Sequence, residues 1–435
     1  MFETLSEIDT RPWRNVPTFF PALLAALRFQ GSSTDDLKQL DTVAWEELLS
    51  FCDRAHFTLL LSELPAGVAP DWVASRIRMN ILDNTERMAN IREIYRTVTE
   101  ALREKQLEHL VIKGFTQCPD FVKDANLRMQ SDIDIFLPPA SLLPARDLIL
   151  QMGYKELPRS VFPDHLPTLT RKTDWQWRGN CYDPEMPPSI ELHFCLWNEK
   201  VARFPIKECD RFWERRVTRS VDGLSFVSLH PVDHVAFLSL HILRDLLLGD
   251  WIVHHVYELA YFLHKSAHDH DFWASWRQSY GERTRSLQAI AFVLAKTWFN
   301  CEVSQEVERN ICELPFAISQ WLLHFSSSPL EVMFMPNRDS VWLHTSLVDS
   351  FAARVGIVRR GLLPNRIPPL NAAGLQMYRK IGAAERASQH LSLRYVAYLM
   401  DRLHHFSHVC LRGVWTGGWW WLSQRQLGKS FGRAG

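Results

Sequence analysis

Nine residues constrain this chain more than any others: Met129-Gln130-Ser131-Asp132-Ile133-Asp134-Ile135-Phe136-Leu137. Their alternation of polar and apolar side chains predicts a β-strand. In a strand, residues i and i+2 point to the same side, so Asp132 and Asp134 converge while Ile133 and Ile135 turn to a core. Two neighbouring carboxylates repel each other unless a cation lies between them. A hard divalent ion with oxygen ligands, Mg²⁺ above all, is the usual counter-charge, and such ions serve phosphoryl and nucleotidyl transfer. An isolated Asp-x-Asp pair also occurs as the wet face of an edge strand, so the surrounding residues decide.

Upstream, His109-Leu110-Val111-Ile112-Lys113-Gly114-Phe115-Thr116 is an apolar strand that ends in Lys-Gly. Gly114 suits a tight strand-to-helix turn. The helix expected after it would present free N–H groups to a phosphate, with Lys113 or Thr116 adding a contact. Downstream, Pro188 to Trp197 alternates again and puts Glu191 and His193 on one face, opposite Ile190, Leu192 and Phe194. A third carboxylate on a neighbouring strand can complete a metal site or take a proton from an attacking hydroxyl. Segments 166–171 and 174–178 read as further strand. No Cys-x-x-Cys or His-x-x-x-His pair accompanies these acids, so the spacing does not point to zinc.

Taken together, Lys113-Gly114, Leu127-Arg128-Met129-Gln130-Ser131-Asp132-Ile133-Asp134, Gly153-Tyr154 and Ile190-Glu191-Leu192-His193 resemble the uncharacterised nucleotidyltransferase family of the DNA polymerase β superfamily, over residues 75 to 265. The Arg-x-x-Ser-Asp-Ile-Asp string is its most specific part. The resemblance implies an α+β fold, with a small mixed β-sheet nucleotidyltransferase core flanked by N-terminal and C-terminal helical regions. It implies Asp132, Asp134 and Glu191 as catalytic acids and as ligands of Mg²⁺ (or Mn²⁺), and Gly114 as the phosphate-side turn. Lys113, Thr116, Arg128 and Ser131 are the expected nucleotide contacts, although Arg128 suits a structural carboxylate equally well. The implied reaction moves a nucleoside monophosphate from an NTP, ATP being the expected one, to an acceptor and releases pyrophosphate. The acceptor is a protein, an RNA end or a small molecule. A Gly-Ser pair is usual at the superfamily's turn. Here Phe115 follows Gly114, which lies eighteen positions before Asp132. Repulsion between the paired acids predicts that Asp134→Asn abolishes transfer at little cost in stability.

The remainder of the chain frames this core. Residues 1–107 read as an N-terminal helical region (19–29, 43–61 and 72–105), 108–228 as the α/β core, 229–328 as a helical domain and 329–435 as a Pro-punctuated wrap with a basic, Trp-rich tail. A helix over 139–152 should close on Gly153, and Asp222-Gly223 should turn a hairpin. Eight scattered cysteines, an acidic N-terminus and the lack of any long uncharged apolar run predict a cytoplasmic protein with no transmembrane segment.

A formal net charge of zero hides an asymmetry: residues 351–435 hold thirteen Lys and Arg against two acids, leaving 36 basic and 47 acidic residues before them. That tail, with Trp415, Trp419, Trp420 and Trp421, can dock on the acidic body of its own chain or meet an anionic partner, nucleic acid or membrane. Two other functions fit the sequence. One is a binding or scaffold protein on the same fold. The other is a metal phosphohydrolase built on His230-Pro231-Val232-Asp233-His234 and His241.

Overall fold

The computed structural model of the protein describes residues 16–157, 164–335, 337–362 and 407–423. Two compact units divide the chain: one holds Val16–Arg244 with Ile252–Pro315, the other Asp245–Trp251 with Phe316–Gly435. The fold is α+β, a mixed five-stranded sheet with helical flanks.

In the first unit the sheet is built from β1 (Leu110–Ile112), β2 (Asp132–Phe136), β3 (Tyr154–Glu156), β4 (Leu169–Arg171) and β5 (Ser189–His193), in the order β1-β2-β5-β4-β3. β2 and β5 run parallel, and the other pairings are antiparallel. Ile133, Ile135, Ile190 and Leu192 are fully buried and meet Val111, Ile149 and Leu169 in one core. The alternation read in the sequence therefore fixes which way the acids face. β6 (Val217–Val221) and β7 (Leu224–Ser228) form the expected hairpin; Asp222 and Gly223 both have positive φ, 49° and 75°. That is the geometry of a two-residue turn matched to strand twist. The helix Pro139–Gln151 ends on Gly153 at φ 91°.

The helix Asp71–Glu104 lies against this core. Its buried positions include Val73, Ile77, Asn80, Asn84, Arg87, Met88, Ile91, Tyr95, Val98 and Leu102, which recur mostly every three or four residues along one helix face. Three of them are polar. That stretch binds the backbone that leads into β2. Asn84 Nδ2 donates to the carbonyls of Asn126 (2.7 Å) and Arg128 (3.2 Å), and Arg87 Nε donates to that of Gln130 (3.1 Å). Arg87 Nη1 reaches the carbonyls of Asp183 and Met186, ahead of β5. One guanidinium, 1 % exposed, thus ties together the approaches to both acid-bearing strands.

Several expectations change. The helix expected over 43–61 breaks at His56, whose φ of 60° caps Thr42–Ala55; a 3₁₀ segment Thr58–Glu63 follows. Asp41 caps the start of Thr42–Ala55, its side chain accepting from Ala44 N at 2.8 Å. Residues 174–178 form no strand; Trp175 instead turns its Nε1 to Asp183 Oδ2 (3.0 Å) within a loop. The stretch from 329, expected to be irregular, is largely helical where described: Ser328–Glu331, Ser340–Ser346 and Phe351–Leu362. Pro329 sits in the first turn of Ser328–Glu331, where a missing N–H costs little. Pro336, Pro364, Pro368 and Pro369 lie outside the described residues. The second unit also contains the helices Phe316–Phe325 and 407–423. No helix among the described residues is long and apolar enough to cross a membrane.

Candidate active site

β2 and β5 bring the three acids to one face. Parallel pairing sets Asp134 beside Glu191 and Asp132 beside Ser189. Asp134 is 2 % exposed, whereas Asp132, Glu191 and Lys113 are half-buried, so the face is reachable from solvent on one side. Ligand atoms of Asp134, Glu191 and His193 lie within 4.8 Å of one another.

The acids have unequal surroundings. Asp134 Oδ1 accepts from Lys113 Nζ at 3.0 Å and from His193 Nε2 at 2.7 Å. Burial alone would raise its pKa, but Lys113 and His193 overcome that and hold it well below the ordinary carboxylate range. Burial would likewise lower His193, yet its hydrogen bonds to Asp134 and Glu191 outweigh that and keep it above the ordinary imidazole value. Glu191 Oε1 accepts from the Thr168 hydroxyl at 3.1 Å, and its Oε2 lies 3.5 Å from His165 Nε2. The carboxylate of Asp132 has no hydrogen-bond or ion-pair partner among the described residues. Burial, then Asp134 and Glu191, push its pKa up to about 7, partly offset by Lys113 and Arg128. The three acids thus share this face with Lys113 and with His193, whose hold on a proton they strengthen.

This asymmetry corrects the symmetric picture of two repelling carboxylates. Asp134 is anchored by Lys113 and His193; Asp132 carries the repulsion. The oxygen set fits a hard divalent ion, since the unpartnered carboxylate and its two neighbours are the ligand type that Mg²⁺ or Mn²⁺ takes. His193 turns its Nε2 to Asp134 and stands with Asp134 and Glu191 in one group whose atoms could meet a metal ion.

The turn before Gly114 is built for closeness. Lys113 and Gly114 are consecutive residues with positive φ, 57° and 56°. Lys113, at ψ −162°, occupies a region normally left to glycine. Its conformation is held by its ion pair and by Thr116, whose Oγ1 and N both donate to the Lys113 carbonyl, at 2.6 and 3.1 Å. At Gly114 a Cβ would collide with the Gln130 carboxamide, which itself donates to the Asp132 carbonyl at 2.6 Å. We therefore expect Gly114→Ala to cost about 2 kcal/mol of stability, because overpacking and positive φ act together. Urea unfolding of the variant measures it, and a loss below about 0.5 kcal/mol would show that Gln130 yields freely.

The expected phosphate-binding helix is absent. Gly114–Gln117 is a single 3₁₀ turn, too short to build a dipole. Thr116 is fully buried with its hydroxyl turned inward. Arg128 meets the carboxylate alternative: its Nε donates to buried Glu258 at 2.6 Å. Ser131 is exposed beside the acids. Arg128 and Glu258 also line a pocket with Phe57, Phe121, Tyr257 and Tyr261.

In the rival cluster, Asp233 and His234 are structural packing. Asp233 is fully buried, bound by the Arg215 guanidinium and by Tyr280 Oη at 2.5 Å. Burial lowers His234 to about 3, and its ring lies on Phe121. His241 packs against Phe237 and His255. His230, Asp233 and His234 do not form a ligand set.

Sequence reading missed Arg87, Asn84, Thr168 and His165. Asn80, Asn84 and Arg87 on the apolar stripe of a helix were a visible signal, since polar groups there must bind something. Thr168 and His165 gave none, because only strand pairing brings them to Glu191.

Residues 41–300 match the family described as Uncharacterised nucleotidyltransferase, a wider span than the motifs alone suggested. No curated protein and no solved structure matches the chain.

Proposed function

The chain belongs to this uncharacterised nucleotidyltransferase family, and from that premise we propose that it transfers a nucleoside monophosphate from an NTP, ATP first, to an acceptor hydroxyl in the cytoplasm. Asp132, Asp134 and Glu191 would hold Mg²⁺ or Mn²⁺, which when bound supplies charge neutralisation for the phosphates. The acceptor oxygen bonds to the α-phosphorus, the bond from that phosphorus to the β-bridging oxygen breaks, and pyrophosphate leaves. Glu191 is the half-buried carboxylate suited to take the hydroxyl proton, with Thr168 fixing one of its oxygens. Lys113 and Ser131 are the nucleotide-side groups nearest the acids, and Gly114 lets that turn pack closely. Arg128 acts at a distance through its charge on Asp132. The aromatic cavity beside it suits a planar or apolar part of a substrate.

The observation that carries this reading is Asp134 set beside Glu191 on adjacent parallel strands, with an unpartnered Asp132 two residues away. A scaffold that had lost catalysis would have no use for an uncompensated acid whose pKa is raised. Calorimetry with a non-hydrolysable ATP analogue tests it. Binding should require Mg²⁺ and disappear in Asp132→Asn; binding that is indifferent to both would leave a scaffold on a transferase fold. Glu191→Gln should keep most nucleotide binding and lose turnover about a hundredfold. Incubation with each α-labelled NTP in cell extract identifies the nucleotide and the acceptor.

A further inference from the structure

The helix 407–423 is apolar on two opposite faces. Val409, Gly413, Thr416 and Trp420, spaced four, three and four apart, are buried. Gly413 lies against Leu362, and Gly417 lies against Trp342, whose Nε1 donates to Thr416 Oγ1 at 2.9 Å. Trp420 meets the Phe325 ring. This face is the helix's attachment to its own unit. The outer face is formed by Leu411, Val414, Trp415 and Leu422, which are 73 %, 74 %, 80 % and 54 % exposed. It carries no charged side chain. The one cation within the helix, Arg412, is committed inward to Asp339 Oδ2 (2.6 Å) and Glu331 Oε2 (2.7 Å).

Water is a poor neighbour for such a stripe, and monomeric proteins seldom expose a contiguous one without a use for it. Charge selects the occupant. From residue 402 to the end there are five Lys and Arg and no acid, three of them (Arg425, Lys429, Arg433) directly following the helix in sequence. A second copy would bring the same positive excess to the same place. Single-stranded nucleic acid is held by several aromatics interleaved with cations, and this face offers one aromatic, Trp415, and no cation. A bilayer with anionic lipids satisfies both halves. Trp and Leu side chains are favoured at headgroup depth, and nearby Lys and Arg are drawn to the negative surface.

We propose that the outer face of helix 407–423 docks the protein on an anionic membrane surface, Trp415, Leu411, Val414 and Leu422 entering the interface.

Co-sedimentation of the full chain with phosphatidylcholine vesicles, with and without phosphatidylserine, tests this. The protein should partition onto the anionic vesicles, less so at high salt, and about tenfold more weakly onto neutral ones. Trp415→Ser with Leu422→Ser should lower partitioning about tenfold with an unchanged thermal melt, since both side chains face outward. Arg425→Gln, Lys429→Gln and Arg433→Gln together should remove most of the preference for phosphatidylserine and leave the apolar face intact. Equal partitioning of the double variant and the parent overturns the proposal. So does a parent that stays in the supernatant. A parent dimer that the double variant converts to monomer reassigns the face to a second copy. RNA retention lost in that variant, without vesicle binding in the parent, reassigns it to nucleic acid.

Discussion

Asp134→Asn should lose transfer by roughly a thousandfold or more and should also destabilise the metal-free protein, by roughly 3 kcal/mol. The loss of transfer follows from the proposed role as an oxygen ligand at the centre of the site. The loss of stability follows from its partners. Asp134 is the counter-charge for Lys113 and for His193, both on the same oxygen. Asparagine keeps an acceptor there but withdraws the charge, which strands the Lys113 ammonium in a largely dry place and removes the main cause of the raised pKa of His193. Removing one partner of a buried ion pair costs more than the pair was worth, because the remaining charge is stranded. Urea unfolding in the presence of chelator measures the stability, and α-labelled NTP measures the transfer. The decisive control is Lys113→Met. Added to Asp134→Asn it should recover much of the stability, so that the two changes together cost less than their sum. Unchanged or raised stability in Asp134→Asn would mean that Lys113 and His193 are solvated well enough to do without it.

The sequence alone predicts little or no cost in stability for this variant, and the difference lies in what surrounds the carboxylate. Alternation in 129–137 and 188–194 is a local property, so it fixed the strands, their inward Ile and Leu residues and the shared face of the acids. Hairpin chemistry at Asp222-Gly223 and the helix stop at Gly153 are likewise written in single residues with positive φ. What surrounds each carboxylate depends on pairing between distant segments. Lys113 reaches Asp134 because β1 lies antiparallel to β2, and His193 reaches it because β5 lies parallel on the other side. Neither contact has a signature in spacing along the chain. The same holds for Arg128, whose partner Glu258 is 130 residues away. The phosphate-binding helix failed for a different reason: strand-Gly-Thr is compatible with both a long helix and a single 3₁₀ turn, and Thr116 closing on the Lys113 carbonyl chose the shorter.

Asp132→Asn should also abolish transfer, yet it should stabilise the metal-free protein at neutral and higher pH, by on the order of 2 kcal/mol. Asp132 has its pKa raised to about 7, against about 3.9 for an unfolded aspartate. The folded state therefore holds a proton that the unfolded chain has released between those values. Stability from this group is fully present below the unfolded pKa and is lost as pH rises through the folded one. Asparagine imitates the protonated acid at every pH, so the variant and the parent should converge near pH 4 and separate up to about pH 7 and beyond. His193 adds to the same slope, since its raised pKa gives stability that fades as pH increases. Asp134 works the other way: held below the ordinary carboxylate range, it gives stability above that range that is lost as pH falls. Paired unfolding curves of Asp132→Asn and Asp134→Asn at pH 5 and pH 8, in chelator, separate the two acids by sign. If Asp132→Asn were destabilising at pH 8, its carboxylate would have to be compensated by some group in the folded protein. The case for a cation-seeking site would then fail at its central residue.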